Sequence, residues 1–144
     1  MKKIIALMMV TVLALTCALS LTSCFDKTDD ALVGTYEMTS ISGSITSGGV
    51  TTELTTDLYD YYKITLEKSG KAIIESRGAG TSLEYKDEGT WEYDNGELKI
   101  TSETQGVKVT EVMQWKDDVI TYNATQNASG MVINMKLVLE KVTD

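Results

Sequence analysis

Glu111 is the residue whose position in the sequence most directly suggests chemistry. It lies in the alternating segment Val107–Trp115, on a face otherwise made of valine, methionine and tryptophan. A carboxylate on such a face is costly to bury unless it is paired or hydrated. Glu111 therefore indicates a water-filled or ligand-filled interior, unless a bulge near Thr110 turns its side chain outwards. The sequence leaves these two alternatives open.

Aromatic side chains supply the other candidate binding groups. Trp91 and Tyr93 share one face of a segment, Trp115 ends another segment, and Tyr61 belongs to the run Tyr59–Tyr62. Such rings can stack on a sugar or an apolar ligand, but they more commonly fill a core. The run Tyr59–Tyr62 is either a lid over a pocket or a plug of packed rings, and a plug is favoured. The candidate ligand-binding residues are Glu111, Trp91, Tyr93, Tyr61 and Trp115.

The composition excludes several kinds of catalytic site. The 144 residues include no histidine, so a Ser-His-Asp triad, a Cys-His pair and a histidine-rich metal site are all excluded. Acidic pairs at residues 29–30, 87–88 and 117–118 lack the spaced oxygen ligands of a calcium loop. We interpret these pairs as solvated turns. We therefore predict that the protein is not an enzyme and holds no metal ion or other cofactor.

The N-terminal segment carries the most specific signal in the sequence. Lys2 and Lys3 precede an apolar run over residues 4–19, a combination typical of a secretory signal peptide. The run closes with Leu21-Thr22-Ser23-Cys24, an aliphatic residue and two small residues before a cysteine. This ending resembles the lipobox of bacterial lipoproteins. The resemblance implies cleavage before Cys24 and a diacylglyceryl group on its thiol.

Lipidation of Cys24 would attach this protein to a membrane. Each buried methylene of an acyl chain contributes about 0.8 kcal/mol, so two chains form a stable anchor. The alternative is a single membrane-spanning helix over residues 4–21, which is marginally long enough. The lipobox reading gives a signal peptide at 1–23, a lipidated cysteine and acidic tether at 24–31, and a domain at 32–144. It implies a location on the extracytoplasmic side of a membrane in the bacterial cell envelope.

Charge limits the other partners of the mature chain. The full chain has a net charge of −8, and residues 1–23 contain two lysines and no acid, so the remainder carries −10. An acidic surface argues against nucleic acid, which binds clustered lysine and arginine. Repulsion between like-charged molecules favours a monomer.

The elements that must position these residues are predicted to be β-strands. From Leu32 onwards, short alternating runs are separated by turn residues, as in an antiparallel all-β domain. About eight strands follow one another in up-and-down order, which favours closure into a barrel. The clearest hairpin turn is at Asn95-Gly96, since both residues tolerate positive φ.

Two segments leave the strand pattern open to more than one interpretation. In the first long connection, Leu54, Leu58 and Tyr61 recur at helical spacing, so we predict a loop and a short helix over one end of the barrel. The alternative is an extra hairpin that turns at residues 47–49. Residues 82–93 are either two short strands or one bent strand.

The whole segment from residue 32 to residue 142 resembles the small lipocalin-like domains of bacterial lipoproteins. The resemblance rests on Gly34-Thr35-Tyr36 and on the phrases YKITLEKSGKA, GTWEYDNGELKI and LVLEKV. Lipocalins carry Gly-x-Trp in the first strand, where this chain has Tyr36, and an arginine in the last strand, where Lys141 is the nearest cation. The resemblance implies a barrel whose lumen can hold a ligand.

Together these observations predict a lipid-anchored binding protein of the cell envelope that takes a small apolar ligand in its lumen. The alternative is an envelope interaction protein, either an inhibitor or an assembly factor, that uses its outer surface and has no ligand lumen.

Overall fold

The computed structural model describes residues 29–143. The predicted signal peptide and Cys24 lie outside this range. The described residues form nine strands and two single-turn 3₁₀ helices, η1 (Asp30–Leu32) and η2 (Thr56–Leu58). The strands are β1 (Gly34–Ser47), β2 (Val50–Glu53), β3 (Tyr59–Leu66), β4 (Lys71–Gly78), β5 (Glu84–Asp94), β6 (Glu97–Thr104), β7 (Val107–Lys116), β8 (Val119–Ala128) and β9 (Met131–Lys141).

The strands form one antiparallel sheet that closes on itself. Its order is β2-β1-β3-β4-β5-β6-β7-β8-β9, and β1 also pairs with β9 along most of its length. β1 and β3–β9 therefore make a closed barrel of eight strands, while β2 extends the end of β1 as a hairpin. The prediction of an all-β, up-and-down barrel of about eight strands is confirmed. Within residues 29–143, no helix is long and apolar enough to cross a bilayer.

The predicted short helix in the first long connection is not formed. The alternative hairpin takes its place, with Ser47 paired to Val50 across a turn at Gly48 and Gly49. A single 3₁₀ turn, η2, then leads into β3. Residues 51–56 include four threonines, whose branched side chains favour extended backbone over helix. Leu54 is buried without a helix.

Hairpin turns and close approaches between strands at glycine set the register of the barrel. Asn95 and Gly96 both have positive φ, at 51° and 87°, as predicted for a two-residue turn. Residues 84–94 form one strand with Gly89 in its middle. A Cβ atom at Gly89 would lie 2.2 Å from the Thr101 carbonyl oxygen, so only glycine lets β5 approach β6 this closely.

Alternating side chains fill the barrel interior. In β3 and β4 every second residue from Tyr62 to Leu66 and from Ala72 to Gly78 is buried, in agreement with the alternating runs of the sequence. The same alternation continues around the barrel, and burial of these apolar side chains is the main contribution to its stability.

The two ends of the barrel are packed differently. The end where β1 begins and β9 finishes is called here the closed end, because η1 covers it and Leu32, Tyr36, Leu98 and Leu139 are fully buried there. The half of the barrel farther from η1 is called the open half, because part of its wall, on β5 and β8, is less well covered. Its inward-facing positions on β5 and β8, from Tyr85 to Gly89 and from Ala124 to Ala128, are only half-buried.

Candidate functional site

Glu111 points into the barrel. β6 and β7 pair without a register shift, and Glu111 lies opposite the buried Ile100. Its side chain is only 7% exposed. Of the two alternatives left open by the sequence, the structure therefore has the inward carboxylate, with no bulge at Thr110.

The surroundings of Glu111 are both apolar and acidic. The Tyr122 hydroxyl donates a long hydrogen bond of 3.4 Å to Glu111 Oε1. Burial raises the pKa of Glu111 from its ordinary value of 4.5 to about 7, although the Tyr122 hydrogen bond opposes the rise. The negative charge of Asp87 raises this pKa further. Glu111 therefore exchanges its proton near neutral pH.

Polar side chains from β3, β4 and β5 share this interior. Ser76 on β4 lies opposite Tyr62 on one side and Tyr85 on the other. The Tyr85 hydroxyl donates a hydrogen bond of 3.2 Å to Asp87 Oδ2. Electrostatic interactions connect Tyr62 with Glu111, Tyr85 and Tyr122. We call the set of Tyr62, Ser76, Tyr85, Asp87, Glu111 and Tyr122 the interior polar cluster.

Two hydroxyls of the interior polar cluster are buried without a hydrogen-bond partner among the described residues. Ser76 is 2% exposed and Tyr62 is 3% exposed, yet no hydrogen bond joins either side chain to another residue in the range 29–143. Burial and the nearby negative charge of Glu111 raise the pKa of Tyr62 well above its ordinary value. A buried polar group without a partner costs about 1–3 kcal/mol, so these hydroxyls need an explanation beyond folding.

The barrel wall is least continuous beside Glu111. β7 and β8 pair with each other only near their connecting turn, from Gln114–Lys116 to Val119–Thr121. By contrast, β8 pairs with β9 along its whole length. Glu111 and Tyr122 lie just beyond the last β7–β8 pair, on either side of the seam where the two strands separate. The interior polar cluster therefore lies next to the seam.

Three of the predicted aromatic ligands lie at the closed end instead. Trp91 is buried, and its indole Nε1 donates to the Glu67 carbonyl oxygen at 2.9 Å. Tyr93 and Trp115 pack edge to face with ring centroids 5.7 Å apart. Each ring is fixed by a partner of the fold, so the structure places these residues in end packing and not with Glu111.

The closed end is held by a network around Tyr36. The Tyr36 hydroxyl donates to the Leu32 carbonyl oxygen at 2.9 Å and accepts from Trp115 Nε1 at 3.1 Å. Lys141 Nζ donates to the Ala31 carbonyl oxygen at 2.8 Å and lies 6.0 Å from the Tyr36 ring centroid. Lys141 thus contacts both η1 and the ring of Tyr36 at this end of the barrel.

The tyrosines of the run Tyr59–Tyr62 lie on both faces of the sheet. Tyr59 and Tyr62 are buried, with rings packed edge to face at 6.0 Å, as a plug would be. Tyr61, a predicted ligand-binding residue, instead lies on the outer face between Lys63 and Arg77. Residues 117–118 form a turn, as interpreted from the sequence.

Sequence reasoning found Glu111 but missed most of its neighbours. Asp87 was assigned to a solvated turn, whereas it is an inward position of the continuous strand β5. It shares parity with Tyr85 and Trp91, and this parity is the signal that would have identified it. Ser76 and Tyr122 carry no distinguishing signal in the sequence, because the register of the sheet determines what they face.

The described barrel interior carries groups that are able to recognise a ligand. Among the described residues, no group of three or more histidine, cysteine, aspartate or glutamate side chains is placed to share a metal ion. The interior offers carboxylates, hydroxyls and aromatic rings, which recognise a ligand by hydrogen bonds, charge and ring contacts. Comparisons of the chain with protein-family models, with curated proteins and with solved structures find no match.

Proposed function

We propose that the protein is a lipid-anchored binding protein of the bacterial cell envelope, which takes a small, largely apolar ligand with a polar group into its barrel. The observation that carries the proposal is the pair of buried hydroxyls of Tyr62 and Ser76, which have no hydrogen-bond partner within residues 29–143, beside the buried Glu111. Replacing such groups by apolar ones is usually neutral or stabilising in a protein interior. Their presence supports a role in binding.

Native mass spectrometry of the full-length protein tests the binding part of this proposal. The protein is extracted from its own membranes, and small molecules that stay with the folded chain are identified after release. We expect a stoichiometric small molecule with wild type and much less with Glu111→Leu, which removes the polar anchor. Glu103→Gln, a change of an exposed carboxylate on β6, is the matched control. Wild type without any bound small molecule would contradict the proposal.

The anchoring part rests on the lipobox resemblance at residues 21–24 and has its own test. Cys24→Ser should abolish labelling by radioactive palmitate and leave an uncleaved or soluble precursor, because the thiol that takes the lipid is gone. Cys17→Ser is the matched control and should label like wild type. Unchanged labelling and membrane fractionation of Cys24→Ser would refute the anchor.

A second candidate function, an interaction protein that uses its outer surface, is favoured by one observation. Val50, Leu83 and Val107 are large apolar residues at the same end of the barrel, and Val50 and Leu83 are each 68% exposed. Exposed apolar side chains can contact another protein. Replacing all three by serine would abolish partner capture if this function holds and would leave bound small molecules unchanged if the first holds.

A further inference from the structure

The interior polar cluster contains two carboxyl groups that form no salt bridge with any cation of the described residues. Asp87 and Glu111 both occupy inward positions of the barrel. Seven salt bridges connect side chains in the described part of the chain, and none includes either residue. Among the described strands, Lys141 is the only lysine or arginine at an inward position, and its Nζ donates to the Ala31 carbonyl oxygen at the closed end. A ligand in this cluster therefore meets carboxylates without a counterion.

The hydroxyls of the same cluster add hydrogen-bonding capacity. The Ser76 and Tyr62 hydroxyls are more than nine-tenths buried and have no partner among residues 29–143. A hydroxyl oxygen carries two lone pairs and accepts hydrogen bonds readily. A ligand that carries several N–H donors would satisfy these oxygens and a carboxylate at the same time.

The aromatic rings of the interior polar cluster also favour a cation. Tyr62, Tyr85 and Tyr122 line the interior around Glu111. The face of an aromatic ring is electron-rich and attracts a cation, most strongly where water is excluded. An anionic ligand would be repelled by Asp87 and Glu111, and a purely apolar one would bury both carboxylates without compensation. A cation matches the carboxylates, hydroxyls and rings together.

We propose that the interior polar cluster binds the protonated amine of a small apolar amine, with Glu111 and Asp87 opposite its charge. The Ser76 and Tyr62 hydroxyls accept its N–H groups, and the tyrosine rings contact its apolar body. The cluster lies beside the open half and beside the seam that separates β7 from β8. The amine enters by this route. This assignment rests on the proposed function and specifies the chemical class of its ligand.

A set of three probes that share a 4-fluorophenyl-ethyl group tests the charge preference. The probes are 4-fluorophenethylamine, 4-fluorophenethyl alcohol and 3-(4-fluorophenyl)propanoate, which differ mainly in charge. Full-length protein in neutral lipid nanodiscs is titrated with each, and fluorine NMR shifts are measured against empty nanodiscs. We expect the amine to bind at least about tenfold more tightly than the alcohol, the size of one hydrogen bond to a charged group. The propanoate should bind most weakly.

Carboxylate variants assign the preference to this cluster. Glu111→Gln keeps the shape of the side chain and should reduce amine affinity about tenfold, with little change for the alcohol. Asp87→Asn, at a half-buried position, should weaken amine binding in the same direction and guards against misfolding of the first variant. Glu103→Gln, on the exposed side of β6, should bind all three probes like wild type.

The outcomes separate the two proposals. Equal binding of amine and alcohol, or unchanged amine binding by both Glu111→Gln and Asp87→Asn, overturns the amine assignment and leaves the binding function standing. Preference for the propanoate overturns it as well. If wild type binds none of the three probes, the amine assignment and the binding function both fail.

Discussion

The closed end and the open half of this barrel are built from the same kinds of residue but treat polar atoms in opposite ways. At the closed end, the Tyr36 hydroxyl has both a donor and an acceptor, and the Trp91 and Trp115 indole nitrogens each have an acceptor. Beside the open half, Tyr62 is almost equally buried, yet its hydroxyl has no hydrogen-bond partner among the described residues. Burial alone therefore does not distinguish a structural tyrosine from a binding tyrosine.

The difference indicates that the closed end and the interior polar cluster contribute to stability with opposite signs. A satisfied buried hydroxyl contributes about 1 kcal/mol, whereas an unsatisfied one costs about as much or more. The closed end thus stabilises the barrel, and the interior polar cluster destabilises it in the absence of a ligand. Residues at binding sites commonly carry such a cost. The predictions below test this contrast, beginning with the largest expected effect.

The pH dependence of stability should be dominated by Glu111. Because its pKa is about 7 in the folded protein and near 4.5 when unfolded, the native state holds the proton more tightly. Stability should therefore fall as pH rises from 4.5 to 7 and change little from this residue outside that window. The total loss is roughly 3 kcal/mol. Urea denaturation at a series of pH values measures it.

Two variants isolate the contribution of Glu111 from that of the other carboxylates. Glu111→Gln cannot titrate, so its stability should be nearly flat across the same window, and it should exceed wild type at pH 8. Glu103→Gln, whose side chain is exposed, should follow the wild-type curve. A wild-type curve as flat as that of Glu111→Gln would show that Glu111 ionises as it does in water.

Removal of the Tyr36 hydroxyl should give the next largest effect. Tyr36→Phe leaves the Leu32 carbonyl and the Trp115 indole N–H without this partner. The expected loss of stability is about 1–3 kcal/mol. Thermal and urea denaturation would measure it at pH 5, where Glu111 is protonated. Stability equal to wild type would mean that water replaces the hydroxyl at no cost and that the closed end is not sealed.

The same substitution at Tyr62 should have the smallest effect and the opposite sign. Tyr62→Phe removes a buried hydroxyl that has no hydrogen-bond partner among residues 29–143, so stability should be unchanged or higher by up to about 1 kcal/mol. Measured beside Tyr36→Phe, this matched pair holds the chemical change constant and varies only the environment. A loss of stability as large as that of Tyr36→Phe would erase the proposed contrast between the two regions.

Much of the fold was predictable because local signals determine it. The Asn95-Gly96 turn is confirmed, and Tyr62, Ile64 and Leu66 alternate as the strand pattern predicts. Turn chemistry and side-chain parity both act within a few residues. The first long connection was predicted wrongly as helix. There, the spacing of Leu54 and Leu58 imitates a helical period, while the threonines and the Gly48-Gly49 turn favour the hairpin.

The site was less predictable because it depends on register. Parity along β7 indicated an inward Glu111, but the alternative of a bulge near Thr110 is excluded only by the unshifted pairing of β6 and β7. The neighbours of Glu111 come from other strands, and only the pairing of β3, β4 and β5 brings Tyr62, Ser76 and Tyr85 side by side. Trp91 and Trp115 were predicted to bind ligand because of their aromatic rings. Their positions near strand ends place them in the packing of the closed end.

The docking of η1 on the closed end has a consequence for how the protein stands on a membrane. Five peptide steps separate Cys24 from Asp29, the cap of η1, and a fully extended chain covers at most about 18 Å in that number of steps. With the proposed lipid on Cys24, such a short tether would favour an orientation in which the closed end lies nearer the bilayer than the open half. Such an orientation suits the capture of molecules from the surrounding aqueous space and not from the supporting leaflet.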